Sequence, residues 1–439
     1  MGMYFDGEFW SGLILQASIS EPAIAHVMVA VGVFAERRES LDTEGQPASQ
    51  VRSGGTQGDA AVLNRKRISS GNDPVALINY NKSISLLKRY SSSENTETVL
   101  LAAILFVCVE FLRGNDEAAL QHFKGGMAII MQTFSRADSS PSSREMANRI
   151  KATIMPFFNR LEMLYMLFGN DTAWPYHVTL EESIPATFFS VKEARESIVH
   201  LMNLSLDFVR SMGLLKYSPS PLPSSALGEQ AALLCHLELW RSVFSAYQTE
   251  HASQLTSSDI YASNVLEIHC IIASIWVSVC TSPFESANDA HIPSFTRAVT
   301  LAEQLSSSAA AGTSAQRARY SNTFLLDMEI VGPIHWVSIK CRDPSVRRRA
   351  IAVQRSTQRR EGIWDSKVTA AVAESVMAEE EAGLDVEHGQ LPCEAARVHF
   401  SSLNWGAGIS PVRTVITHQT KPYGVYADWH VWQEVIWYE

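Results

Sequence analysis

The sequence predicts an all-α protein, and three observations carry that prediction. Apolar residues recur at i, i+3 or i+4 through most of the 439 residues, the spacing that lines them along one face of a helix. Helix start and stop signals punctuate these stretches, with Asp-Pro pairs before them and Gly or basic residues after. Alternation of the strand type is confined to a short stretch near the C-terminus.

The elements follow in order. Asn72-Asp73-Pro74 offers a cap and a proline at the first helical position, and behind it Leu77, Tyr80, Ile84 and Leu87 share a face. The next helix spans about Glu97 to Leu112, is apolar on every side, and stops at Arg113-Gly114. A helix of that kind belongs at the centre of a bundle. Asn115 or Asp116 caps a third helix with the stripe Leu120, Phe123, Met127, Ile130 and Phe134. Further helices carry Ile198, Met202, Leu206 and Val209, then Leu234, Leu237, Trp240 and Phe244. Asn264 to Cys280 is a second strongly buried candidate. Asp343-Pro344 opens a helix in which Val346, Ala350 and Val353 face one way, and Asp365 caps one with Val368, Val372 and Val376. In the tail, Val412, Thr414 and Ile416 alternate with Arg413, Val415 and Thr417, and a run at Arg397 to Phe400 completes a small β-hairpin. Polar breaks fall at Thr43 to Ser70, Asp138 to Ser143 and Ser218 to Ser225.

Composition narrows the function classes. Thirty-six Lys and Arg against 46 Asp and Glu give a net charge of −10, which argues against a chain that binds nucleic acid over its whole surface. Six cysteines are too sparse for a disulfide scaffold, and most sit in apolar runs as free thiols, which fits a reducing compartment. Acidic residues at the N-terminus do not suit a secretory signal. The longest apolar runs, Val99 to Val109 and Ile271 to Cys280, fall short of the ~20 residues that a bilayer requires.

Charge is uneven near the C-terminus. Lys340 to Lys367 holds nine bases and three acids, a balance of +6, whereas Val368 to Ala396 holds seven acids and no Lys or Arg. The two stretches could pair face to face, but solvated surfaces are the expectation, because surface pairs contribute little.

The search for chemistry returns no committed catalytic, cofactor-binding, metal or DNA-binding residue. Gly54-Gly55-Thr56-Gln57-Gly58 lacks the lysine of a phosphate loop and reads as a flexible loop. Cys235-His236 with Glu238, and His269-Cys270, are the best metal candidates. Neighbours on a helix point about 100° apart, however, so both pairs read as core cysteines with satisfied histidines. Gaps of 127, 35, 10, 61 and 52 residues between the cysteines exclude a six-cysteine zinc cluster within this chain. The carboxylate pairs Asp6/Glu8, Glu181/Glu182 and Glu379/Glu380/Glu381 read as acidic surface. Arg65-Lys66-Arg67 has the form of a short nuclear-import signal, although three bases occur readily by chance. Trp405, Trp429, Trp432 and Trp437, with Tyr423, Tyr426 and Tyr438, read as a hydrophobic clasp onto the helical body.

Four blocks carry a resemblance. They are Phe9-Trp10, Leu15-Gln16 and Ser20-Glu21-Pro22-Ala23-Ile24-Ala25-His26; Tyr80-Asn81-Lys82-Ser83-Ile84 with Leu87; Phe106 to Asn115, continuing to Ala118, His122 and Gly126; and Cys341-Arg342-Asp343-Pro344, Arg347-Arg348-Arg349-Ala350 and Arg360-Glu361-Gly362-Ile363-Trp364-Asp365. In this order they resemble the regulatory region of fungal zinc-cluster transcription factors. The resemblance covers residues from about 5 to the end. It implies an irregular multi-helix bundle and supplies no catalytic residues. In that family the region follows a zinc cluster that binds DNA, and this sequence begins at the first block without one.

The expected organisation is an N-terminal helical part at 1–42, a flexible polar loop at 43–71, a main helical regulatory domain at 72–396 and an aromatic-rich tail at 397–439. The expected function is that of a nuclear, or cytoplasmic, transcription regulator without its own DNA-binding cluster. It would not be an enzyme and would need no cofactor. It would act through protein partners, for example a full-length zinc-cluster factor in a homo- or heterodimer, without direct nucleic-acid or membrane contact. A secondary-metabolite pathway is the expected setting. Two rivals stand beside it. One is a helical enzyme or small-molecule binder with converging polar groups around His26, Glu110 and His122. The other is a truncated gene model of a full DNA-binding factor.

Overall fold

A computed structural model describes residue 7 and residues 9–44, 73–90, 95–167, 180, 184–311, 324–403 and 413–438, without the side chains of 38–44 and 308–311. The segment 45–72, the basic run at 65–67, both Asp6/Glu8 and Glu181/Glu182, and Trp405 lie outside the described residues. The fold is mostly helical, with fourteen α-helices among the described residues. It divides into two compact units, one of Met1–Tyr165 with Asn322–Asp327, the other of Met166–Ser321 with Met328–Glu439.

In the first unit a π-helical turn, Phe9–Ile14, leads into α1 (Leu15–Ser20) and α2 (Pro22–Glu44). Then come α3 (Pro74–Leu87), α4 (Thr96–Arg113), α5 (Asp116–Ser135), α6 (Pro141–Thr153), α7 (Met155–Leu167) and the short β1 (Phe324–Leu325). Asp73 caps α3 by accepting from the amides of Val75 and Ala76 at 2.8 and 3.0 Å, and Pro74 fills the first position, where no amide is needed. The buried face of α3 is Ala76, Tyr80 and Ser83, with Leu77, Ile84 and Leu87 only half-buried. Helix α4 is buried at every residue from Leu100 to Leu112, as its all-round apolar sequence predicts. It ends at Gly114, whose φ of 74° is a left-handed cap. Asn115 then caps α5. On α5, a Cβ at Gly126 would lie 2.5 Å from the Phe158 ring, so only glycine admits that packing.

The second unit holds α8 (Val191–Ser211), α9 (Ser224–Glu250), α10 (Ser257–Val279), α11 (Ile292–Ala311), α12 (Val331–Lys340), α13 (Pro344–Thr357) and α14 (Ser366–Glu380). A two-residue ribbon, β2 (Arg360–Glu361) against β3 (Trp364–Asp365), joins α13 to α14. As formed, Val191–Tyr217 and Ser257–Val279 are long and apolar enough to cross a bilayer, beyond what the apolar runs alone suggest. Their apolar windows are 50% and 67% buried inside the protein, as in core helices. On α9, Leu237, Trp240 and Phe244 are buried as expected, while Leu233 rather than Leu234 completes the stripe.

The tail departs from the expected hairpin. It is a three-stranded antiparallel sheet of β4 (Val398–Leu403), β5 (Arg413–Thr420) and β6 (His430–Trp437), with β5 central. Thr414 and Ile416 are buried as the alternation predicts, followed by His418 and Thr420. The third strand escapes a pattern search because both its faces are mixed, with Val431, Val435 and Trp437 exposed and Ile436 buried. Ile416, Ile436 and Tyr438 pack on Ala371 and Val372 of α14. The aromatic clasp is therefore narrower than expected: Tyr438 is buried, but Trp437, Tyr423 and Tyr426 are exposed.

Candidate functional site

The chemistry-bearing residues of the second unit meet where α12 ends, α13 and β4 begin and α14 ends. Asp343 caps α13 through the Val346 amide at 2.9 Å, which places Arg342 before the helix and Arg347 on its first turns. Both guanidiniums reach Glu380, and all three side chains are fully buried. Arg342 donates to Glu380 at 2.8 and 3.2 Å, to Glu285 at 3.1 Å and to the Val398 carbonyl at 3.1 Å. Arg347 donates to Glu380 and to the Cys341 carbonyl. Glu380 also accepts from the Val398 amide at 2.7 Å. Lys340 bridges Glu285 at 2.8 Å and the His399 carbonyl at 2.7 Å. Every charge in this set meets an opposite one, the condition under which buried ions persist.

A second node lies in the segments before α12 and after α13. Arg359 pairs with Glu361 and Glu329. The Glu361 carboxylate accepts from the amides of Glu329, Ile330 and Val331 at 2.8, 3.2 and 2.8 Å. It thereby caps α12, whose own N-cap residue supplies no side-chain bond.

The electrostatics are those of an anchor. Burial raises the Glu285 carboxyl, but Lys340 and Arg342 outweigh it and hold it down to about 2. Burial lowers Lys340 to about 8 against the opposing pull of Glu285. Burial also lowers His399 to about 4, and its Nδ1 meets the Tyr217 hydroxyl at 2.9 Å. Above that pair the Lys421 ammonium sits 4.1 Å from the Trp429 ring centroid and 5.1 Å from that of Tyr217. These contacts hold β4 and β5 in place.

The surface reading of the charged stretches is thus overturned. Arg342, Arg347 and Glu380 form the interior of this unit, and Arg348–Glu381 and Arg355–Glu374 continue the pairing outward. Glu380 is likewise no surface carboxylate, although its neighbour Glu379 is exposed. In the sequence the site shows as the opposite sign of residues 340–367 and 368–396 and as the block Cys341-Arg342-Asp343-Pro344 with Arg347.

The metal candidates are placed differently from the core expectation in one respect. Cys235 is exposed, not buried, and His236 bonds back to the Ala232 carbonyl at 2.8 Å. His269 Nε2 meets the Glu329 carbonyl at 2.8 Å, and burial pushes the Cys270 thiol up to about 12. Among the described residues no group of three or more His, Cys, Asp and Glu side chains is placed to hold a metal ion. In the first unit, His122 meets the Tyr80 hydroxyl at 2.7 Å and Glu110 is held by Arg113 at 2.8 and 2.9 Å. His26 bonds instead to Asn79 at 2.7 Å.

A stretch of 78 residues is 36% identical to the Aspercryptin biosynthesis cluster-specific transcription regulator atnN of Emericella nidulans. It covers 16% of this chain and 13% of that protein, so the match spans about an eighth of the relative's length. No protein-family profile and no solved structure matches the chain. The likeness is a partial one, to a fungal pathway-specific transcription regulator.

Proposed function

We propose that the chain is the regulatory part of a transcription regulator of the fungal zinc-cluster type. It acts in the nucleus through protein partners, in control of a biosynthetic pathway. The observation that carries this reading is the 36% identity over 78 residues with a cluster-specific regulator. The geometry supports it from another side. Arg342, Asp343, Arg347, Glu361 and Asp365, which carry much of the sequence resemblance, all serve as caps or buried ion partners. Residues spent on anchoring suit a scaffold that presents surfaces to other proteins.

Affinity capture of the tagged chain from its host, with mass spectrometry of the retained proteins, tests the proposal. The expected result is co-purification of a zinc-cluster factor or chromatin protein from nuclear extract, together with altered transcription of a reporter when the chain is fused to a foreign DNA-binding domain. Recovery of metabolic enzymes only, with a silent reporter, would overturn it.

A further inference from the structure

The chain contains Ser-Pro at Ser140-Pro141, Ser218-Pro219, Ser220-Pro221, Ser282-Pro283 and Ser410-Pro411, the last outside the described residues. Their surroundings differ. The Ser140 hydroxyl accepts from the Ser143 amide at 3.1 Å and caps α6. The Ser282 hydroxyl accepts from the Phe284 amide at 3.2 Å inside a turn. The Ser218-Pro219-Ser220-Pro221 segment instead leaves a 3-10 turn, Leu215–Tyr217, and runs up to α9. Ser218 has φ −78° and ψ 140°, but its hydroxyl accepts from the Ser220 amide at 3.2 Å and the chain bends over 218–220; Pro219, Ser220 and Pro221 are exposed. Proline at 219 and 221 removes two amides from the segment and fixes φ at both positions.

We propose that this segment is a phosphorylation site for a proline-directed protein kinase, with Ser220 the main acceptor. Such a kinase needs an accessible hydroxyl with proline directly after it, and Ser220 before Pro221 is exposed in that order. In the transfer, the Ser220 oxygen bonds to the γ-phosphorus of ATP and the bond from that phosphorus to the bridging oxygen breaks. ADP leaves, and the hydroxyl proton passes to the kinase's carboxylate base. The product dianion lies four residues before α9, whose N-cap, Pro223, supplies no capping side chain, and four residues after Lys216. Both favour negative charge. Tyr217, just before the segment, bonds His399 and meets the Trp429 ring edge to face, so the modification sits beside the buried site.

The test is native against denatured labelling. The full chain is incubated with magnesium ATP and a purified proline-directed kinase, folded or urea-unfolded and diluted, and phosphopeptides are mapped. The expected result is equal labelling of Ser220 in both samples, with Ser140 and Ser282 labelled only after unfolding. Ser220→Ala removes the signal and Pro221→Ala reduces it at least tenfold, with unchanged melting temperature. Labelling of Ser218 and Ser220 confined to the denatured sample, or absent from both, overturns the proposal.

Discussion

In the first unit the middle of the fold is α4, where Glu110 is the one charged residue among those buried from Leu100 to Leu112. In the second unit the middle is the junction of α12, α13 and α14, where Arg342, Arg347 and Glu380 are as deeply buried as any leucine. Each apolar side chain of α4 gains ~1.5–3 kcal/mol on burial whatever its neighbour is. A buried guanidinium gains nothing unless a particular carboxylate, here 33 or 38 residues away, arrives with it. The first centre tolerates changes of partner but not of volume, whereas the second tolerates neither a lost charge nor a displaced one.

Acid should break the second centre most. Burial lowers His335 and His399 to about 4 each, below the ~6.5 of a free histidine. Between these values the unfolded chain binds protons that the folded chain refuses, so stability falls as pH drops from about 6.5 to 4. The slope is up to ~1.4 kcal/mol per pH unit for each histidine. Below that, protonation of Glu285 near 2 removes the partner of Lys340 and Arg342. Urea midpoints measured across this range should fall with pH, and His399→Asn should flatten the slope. A midpoint indifferent to pH would contradict the buried neutral histidines.

Glu380→Ala comes next, with an expected loss of ~3–5 kcal/mol because it strands two buried guanidiniums. Glu374→Ala, which removes the half-exposed partner of Arg355, should cost ~1 kcal/mol or less. Equal effects in a denaturant titration would mean that Glu380 is solvated. In the first unit, Gly126→Ala should cost ~1–3 kcal/mol by forcing the Phe158 ring aside, and Phe158→Leu should relieve part of it in a double-mutant cycle. Asp343→Ala stands with Glu374→Ala at the small end, expected to cost ~1 kcal/mol through the lost cap on α13, readable as a lower melting temperature.

Much of this was legible from local pattern. Asp73, Asn115, Asp343 and Asp365 cap the helices they were expected to cap, because capping depends on residues within one turn. Of the stripe Leu120, Phe123, Met127, Ile130 and Phe134, the middle three are buried and the outer two half-buried, because helical spacing alone decides which side chains share a face. The candidate site was not legible in the same way. Residues 340–367 and 368–396 showed their opposite signs, but a surface pair and a buried pair have the same composition. Cys235 shows the limit on the other side: it stands in an apolar helix yet points outward, since helix rotation is set by neighbours.

The sequence by itself determined the helices, their caps, the apolar centre of the first unit and the inward face of β5, all of which rest on residue type and short spacing. Only the tertiary structure decided that Glu380 lies between Arg342 and Arg347, that Glu361 caps α12, and that β6 completes the tail sheet. Those outcomes depend on partners 16 to 38 residues apart in the chain. The free energy of a buried charge or a paired strand belongs to the pair and is not a property of either residue alone.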